Sequence, residues 1–244
     1  MKTNTDKEFK FLETVNNLKE DLFNLVFPES CVHCDLALQK GMQDLCPFCY
    51  SQLKWTYFEG YQEPSELDKL FWGRVPIQNT FSLFYFERDK PSQTILHNIK
   101  YNHKRKLANS MGREIGNKLL DKPNWLKVEA LLPVPLHPKK AFIRGYNQSE
   151  EIAKGIAEVL KIPIIKNGVG KKKHTGSQTK KDRFDRWDNV SSNFNSSDAS
   201  IDYMNIAVVD DVITTGSTLE AMINALLKNQ PELQVNIISL ALAK

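Results

Sequence analysis

The sequence predicts an α/β protein, a parallel sheet with helices on both faces, preceded by a small cysteine-rich module. Three observations carry this prediction. From about residue 80 onward, short continuous apolar runs alternate with segments of helical period, the pattern of strands buried on both faces. One of those runs, Ile206 to Val209, leads into two carboxylates and a hydroxyl-rich turn that opens a helix. Two Cys-x-x-Cys pairs stand close together ahead of the alternation.

In chain order, residues 1–27 read as an amphipathic helix, because Phe9, Leu12, Val15, Leu18, Leu22 and Val26 recur every three or four positions. Its polar side carries Glu13, Glu20 and Asp21, which suits docking on the protein body and argues against a membrane surface. Residues 28–56 hold the cysteine module. Residues 57–80, aromatic and irregular with Pro64 and Pro76 as breakers, read as a connector. The main domain, 81–244, opens with a strand from Phe81 to Phe86 and helices from Pro91 to Ile99 and Leu107 to Leu120. A short apolar strand spans Ala130 to Val134. The helix from Asn147 to Leu160 places Ile152, Ile156, Val159 and Leu160 on one face, with Asn147 and Glu150 spaced as a capping box. A buried strand follows from Ile162 to Ile165. After the strand Ile206 to Val209, the helix from Ser217 to Lys228 shows an apolar stripe of Leu219, Met222, Ile223, Leu226 and Leu227. The apolar run Val235 to Ala243 completes the sheet. Residues 168–200 interrupt this rhythm with Lys, Ser, Asn and Asp, and read as a basic flexible loop.

The chain has 244 residues, 41% hydrophobic and 25% charged, with 11 Gly and 11 Pro, which excludes collagen-like, coiled-coil and wholly disordered classes. Nothing approaches the run of about 18 apolar residues that a membrane-spanning helix needs. The first 27 residues contain no uninterrupted hydrophobic stretch, so a secretory signal is not expected and the protein is placed in the cytoplasm. The formal net charge is +4, but it is unevenly spread. Between Lys166 and Arg186 stand Lys166, Lys171, Lys172, Lys173, Lys180, Lys181, Arg183 and Arg186 against only Asp182 and Asp185. Such a segment on a near-neutral body suits a polyanion, either a nucleic acid or a small phosphorylated ligand. A second basic cluster, Lys100, His103, Lys104, Arg105 and Lys106, reads as a solvated face or as a phosphate or DNA contact.

The chemistry of the module follows from its spacing. Cys31-x2-Cys34 and Cys46-Pro47-Phe48-Cys49 offer two opposed thiolate hooks, the donor set for a tetrahedral, closed, structural Zn²⁺. An iron–sulfur cluster also accepts four cysteines, and a redox pair accepts one hook. Four ligands leave no open position for catalysis at the metal. His33, between two ligands, is expected to be exposed.

The stretch Ile206-Ala-Val-Val-Asp-Asp-Val-Ile-Thr-Thr-Gly-Ser-Thr218 points to a ligand site. Ligands of open α/β sheets bind at the carboxyl ends of strands, where Asp210 and Asp211 are expected. The amides opening the following helix, with Thr214, Thr215, Ser217 and Thr218, make a phosphate cradle, and Gly216 lets the backbone approach. A phosphate beside two carboxylates suits a sugar phosphate, whose vicinal hydroxyls donate to the acids.

This stretch resembles the phosphoribosyl pyrophosphate (PRPP) motif of the type I phosphoribosyltransferases. Two others, Leu132-Pro-Val-Pro-Leu-His-Pro-Lys-Lys-Ala-Phe-Ile-Arg-Gly-Tyr-Asn-Gln148 and Thr175-x-x-Gln178 followed by Arg186-Trp-Asp-Asn-Val190, are similar to segments of the ComF/ComFC family. With the cysteine module, the resemblance spans about residues 28–244. It implies a type I phosphoribosyltransferase-like sheet with a zinc-ribbon-like module, binding PRPP or another ribose phosphate with Mg²⁺. It implies that Asp210 and Asp211 hold the ribose and stabilise positive charge on it. The turn Thr214 to Thr218 would hold the 5-phosphate, and Pro135, Lys139, Lys140 and Arg144 would face pyrophosphate. Thr175, Gln178, Arg186 and Asn189 would belong to the closing loop. Lys139 and Lys140 stand where arginine is common, keeping charge but losing bidentate geometry. The family's association with DNA uptake in natural transformation implies single-stranded DNA, an uptake helicase or another competence protein as partners. A non-catalytic DNA-binding or adaptor module that retains a PRPP site is the alternative reading, with Trp187 and Phe194 available to stack on bases.

Overall fold

Four parallel strands form the centre of the larger unit in the order β1, β6, β5, β2. They are β1 (Thr80–Tyr85), β2 (Ala130–Pro133), β5 (Asn205–Ile213) and β6 (Gln234–Leu242). The computed structural model describes residues 29–39, 41–60, 63–136, 138–165, 170–171, 194–195 and 201–243. The proposed helix over 1–27 lies outside them. The chain divides into two compact units, one ending at Ser51 and one beginning at Gln52.

The strands are rich in β-branched and aromatic residues and are buried almost throughout, as the continuous apolar runs required. The strand expected at 162–165 is reduced to one bridge, Leu131 with Ile164, at the sheet's open edge. Pro163 has no amide to donate, so the ladder cannot extend through it. The strand expected to end at Val209 instead continues to Ile213, paired with β6, which puts both acids on the strand itself.

The helices, in chain order, are α1 (Pro47–Ser51), α2 (Glu66–Phe71), α3 (Pro91–Tyr101), α4 (Arg105–Leu119), α5 (Pro138–Arg144), α6 (Gln148–Leu160) and α7 (Ser217–Asn229). Helix α2 corrects the reading of 57–80 as a connector. It is six residues, too short to show periodicity, but Ser65 and Asp68 close a reciprocal capping box at its start. Its Leu67 and Phe71 are fully buried. Residues 54–56 also run antiparallel along the outer edge of β1, where Thr56 donates to the Ser82 carbonyl and Trp55 packs edge-on against Phe84.

Helices α4 and α6 touch backbone to backbone because Gly112 and Gly155 face each other. A Cβ on Gly155 would lie 2.0 Å from the Asn109 carbonyl oxygen. At the start of α6, Asn147 caps Ser149 N at 3.2 Å and donates to the Val134 carbonyl at 3.0 Å. The expected capping box with Glu150 is not formed; Glu150 pairs instead with Lys154 one turn on. Of the basic loop, Gly170–Lys171 (β3) and Phe194–Asn195 (β4) pair as a short antiparallel ribbon. In α7 the predicted stripe is buried at Leu219, Met222, Ile223 and Leu226, with Leu227 half-exposed. No described helix is long and apolar enough to cross a membrane.

Candidate functional site

The first site is the cysteine cluster of the smaller unit. The Sγ atoms of Cys31, Cys34, Cys46 and Cys49 lie within 4.8 Å of one another, and none is in a disulfide. Four sulfurs at about 2.3 Å from a tetrahedral zinc stand about 3.8 Å apart. The Cys34–Cys46 separation is 3.7 Å, so the donor set fits one metal ion of this kind. The fold pre-forms it: Cys31 N donates to the Leu36 carbonyl, and Cys49 N, in the first turn of α1, donates to Cys46 Sγ at 3.4 Å. Burial disfavours the Cys31 thiolate, but backbone hydrogen bonds from Cys46, Cys34 and His33 outweigh it and bring its pKa down to about 6. His33 is half-buried and is not among the clustered ligands.

The second site sits where β2 stops. The last pairing of β2 is Pro133 with Val209, so from Asp210 onward β5 keeps β6 on one side and opens on the other. Asp210 is pinned through Oδ1, which accepts from Ser149 Oγ at 3.1 Å and from Asp211 N at 2.9 Å. Burial first, and then the adjacent Asp211 charge, push the Asp210 carboxyl up to about 7. Asp211 Oδ2 meets Lys100 Nζ at 3.3 Å. In register with Asp210 across the sheet stand Ser239 and then Ser82, whose buried hydroxyls have no hydrogen-bond partner among the described residues.

Beyond Ile213 the chain turns into α7. Gly216 is the N-cap residue with φ of 72°, a left-handed conformation that a side chain would strain. Its α-carbon packs so closely on Phe71 that a Cβ would stand 2.8 Å from the ring. Thr215 Oγ1 and Ser217 Oγ are 3.0 Å apart, and Thr214 and Thr218 are exposed beside them. The amides opening α7 have no intrahelical acceptor, and the hydroxyls stand beside them at the positive end of the helix dipole.

Arg74, just after α2, braces this turn. Its Nη1 donates to the Thr215 carbonyl at 2.8 Å, its Nε donates to Glu220 Oε2 at 3.1 Å, and its Nη2 also meets Glu220. Sequence reasoning missed Phe71, Arg74, Ser149 and Glu220. The only available signal was Gly216 itself, which demands a close neighbour without naming it.

The segment expected to face pyrophosphate follows β2. Pro135 is half-buried after β2, where Val134 N donates to the Val209 carbonyl. Lys140 is exposed on α5, and the side chain of Lys139 lies outside the described residues. Arg144 turns to Gln148 Oε1 at 3.1 Å and lies over the Tyr101 ring. His103 and Arg105 engage the Arg144 and Gly145 carbonyls, and Tyr146 donates to the Ile99 carbonyl. Part of the second basic cluster therefore fastens the Arg144 to Asn147 turn, while Lys100 reaches the acids. Thr175, Gln178, Arg186, Asn189 and Trp187 lie outside the described residues.

No protein-family model matches the chain. Competence protein F of Haemophilus influenzae is 29% identical over 220 residues, covering 81% of this chain and 90% of that protein. The comparisons bear out the ComF resemblance. DNA utilization protein YhgH of Escherichia coli and of Shigella flexneri is each 24% identical over 215 residues, covering 84% of this chain and 93% of theirs. In each case the similarity covers more than four fifths of this chain and at least nine tenths of the relative.

Proposed function

We propose that this chain is a cytoplasmic, ComF-type protein that binds PRPP, or another ribose 5-phosphate ester, and acts in DNA uptake during natural transformation. The observation that carries the ligand reading is the juxtaposition on one strand–turn–helix unit. Asp210 and Asp211 sit at the opening beside β2, and a Gly216-capped, Arg74-braced helix start follows within a few residues. The biological setting is supported by the names of the relatives, a competence protein and DNA utilization proteins.

In this reading the α7 amides with Thr215 and Ser217 hold the 5-phosphate, and the two carboxylates accept from the ribose hydroxyls. Departure of pyrophosphate from C1 leaves positive charge on the sugar, which the acids stabilise by position and charge. Mg²⁺ would neutralise the pyrophosphate. The two acids suit a metal that arrives with its phosphates rather than one caged by protein, because Asp211 is already paired with Lys100. Zinc in the cysteine cluster would be structural.

Calorimetric titration with PRPP, with and without Mg²⁺, tests the reading on the wild type and on the Asp210→Asn/Asp211→Asn variant. Binding that the variant loses is the expected result, and it justifies screening nucleobases and amines as acceptors. No binding by the folded, metal-loaded wild type overturns the reading.

A DNA-binding role is favoured by a separate observation, the basic run from Lys166 to Arg186. It predicts affinity for single-stranded DNA that falls steeply with salt and survives the Asp210→Asn/Asp211→Asn change.

A further inference from the structure

Among the described residues, one cation near the candidate ligand site reaches the acidic pair directly. Arg144 is held by Tyr101 and Gln148, and His103 and Arg105 are held by backbone carbonyls. Lys100, at the end of α3, stands 3.3 Å from Asp211 Oδ2, and the two side chains are only 19% and 13% exposed. Two carboxylates on neighbouring positions repel, and recognition of a diol needs acceptor oxygens held still. The pair meets both demands by dividing its oxygens. Among the described residues, the hydrogen bonds and ion pairs of Asp210 fall on Oδ1 and the ion pair of Asp211 falls on Oδ2. Each carboxylate therefore has one oxygen engaged by the protein and one to offer a ligand.

We propose that Lys100 is a positioning residue for ribose recognition, acting through Asp211 by balancing its charge and fixing its carboxylate so that Oδ1 is presented to a sugar hydroxyl. This rests on the ribose-phosphate reading above and extends it to a residue that the motif does not contain. The partners come from distant places, α3 and β5, and the Tyr146–Ile99, His103–Arg144 and Arg105–Gly145 bonds lock the end of α3 where the lysine is needed. A lysine serving only as a surface counter-ion would be exposed and mobile, and its loss would be neutral.

The test is a double-mutant cycle with ribose 5-phosphate as the titrant, using wild type, Lys100→Met, Asp211→Asn and the double variant. Inorganic phosphate, followed by phosphorus NMR, is the control that needs only the α7 turn. Lys100→Met is expected to weaken ribose 5-phosphate by about tenfold, and the double variant to be no weaker than Asp211→Asn alone, because the lysine acts through that acid. Phosphate affinity stays within about twofold throughout, and Lys100→Arg, which keeps the charge, recovers most of the loss. Independent, additive losses would mean that Lys100 touches the ligand itself and would overturn the proposal. So would Lys100→Met with unchanged ribose 5-phosphate affinity, or with phosphate binding lost in parallel. Lys100→Gln replaces the methionine variant in the cycle if the latter does not fold. Wild type that binds phosphate but not ribose 5-phosphate overturns the underlying ribose reading, a result distinct from wild-type binding that the lysine variants leave intact.

Discussion

Asp210 places the candidate site at odds with stability. Its carboxyl is pushed up to about 7 by burial and by Asp211, whereas an unfolded aspartate titrates at about 3.9. Between those two values the folded protein holds a proton that the unfolded chain has released, so this group's contribution to stability falls as the pH rises through that window. Asparagine keeps an acceptor for Ser149 Oγ and Asp211 N and has nothing to ionise. Asp210→Asn is therefore expected to melt above the wild type at about pH 8, by at most a few kcal/mol in stability, and level with it near pH 4. A melting difference independent of pH would contradict this. The neighbouring row gives the opposite kind of test. Ser239 and Ser82 bury hydroxyls with no partner among the described residues, so Ser239→Ala is expected to be neutral or mildly stabilising in denaturant titration. The two acids were legible in the sequence because adjacent carboxylates before a Thr-Thr-Gly-Ser-Thr turn have little purely structural use. Ser149 and Lys100 were not, because a serine in a helix's first turn and a lysine in a basic cluster both have ordinary solvent-facing roles.

The elements show what periodicity reports and what it misses. The long helices and the central strands were visible because each buries a regular stripe or a continuous run. Helix α2 was not, since six residues between prolines cannot display a period, although its capping box and two buried side chains hold it firmly. That omission hid the Arg74 brace on the turn before α7. Gly216→Ala would put a Cβ 2.8 Å from Phe71 at a left-handed φ, so it is expected to cost about 1–3 kcal/mol and to abolish ribose-phosphate binding. The α4–α6 contact is tighter still. Gly155→Ala meets backbone on the facing helix, at Asn109 and Arg113, where no side chain can swing aside, and a loss of at least about 2 kcal/mol is expected in urea unfolding. Because α6 carries Ser149, the same variant is expected to weaken ligand binding even where it remains folded.

At the scale of the whole molecule, the two compact units separate two chemistries. The cysteine spacing announced the smaller one, since four thiols in two hooks read directly as a ligand set. Metal analysis is expected to give one zinc per chain, and Cys34→Ala or Cys46→Ala to remove it. A strong chelator is expected to abolish the structure of the smaller unit while the sheet unit keeps its own unfolding transition in a calorimetric scan. The order of the strands was less legible, because apolar runs identify strands without naming their neighbours. That order has a consequence during synthesis. β6 lies between β1 and β5, yet it follows both in the chain, so the Phe81, Leu83 and Phe84 strand emerges more than a hundred residues before its parallel neighbour exists. Until β6 is made, the short edge segment at residues 54–56 is all that pairs with the β1 backbone among the described residues. Nascent chains halted before residue 234 thus present an unmated, aromatic strand, the kind of surface that chaperones hold and that aggregates when they do not.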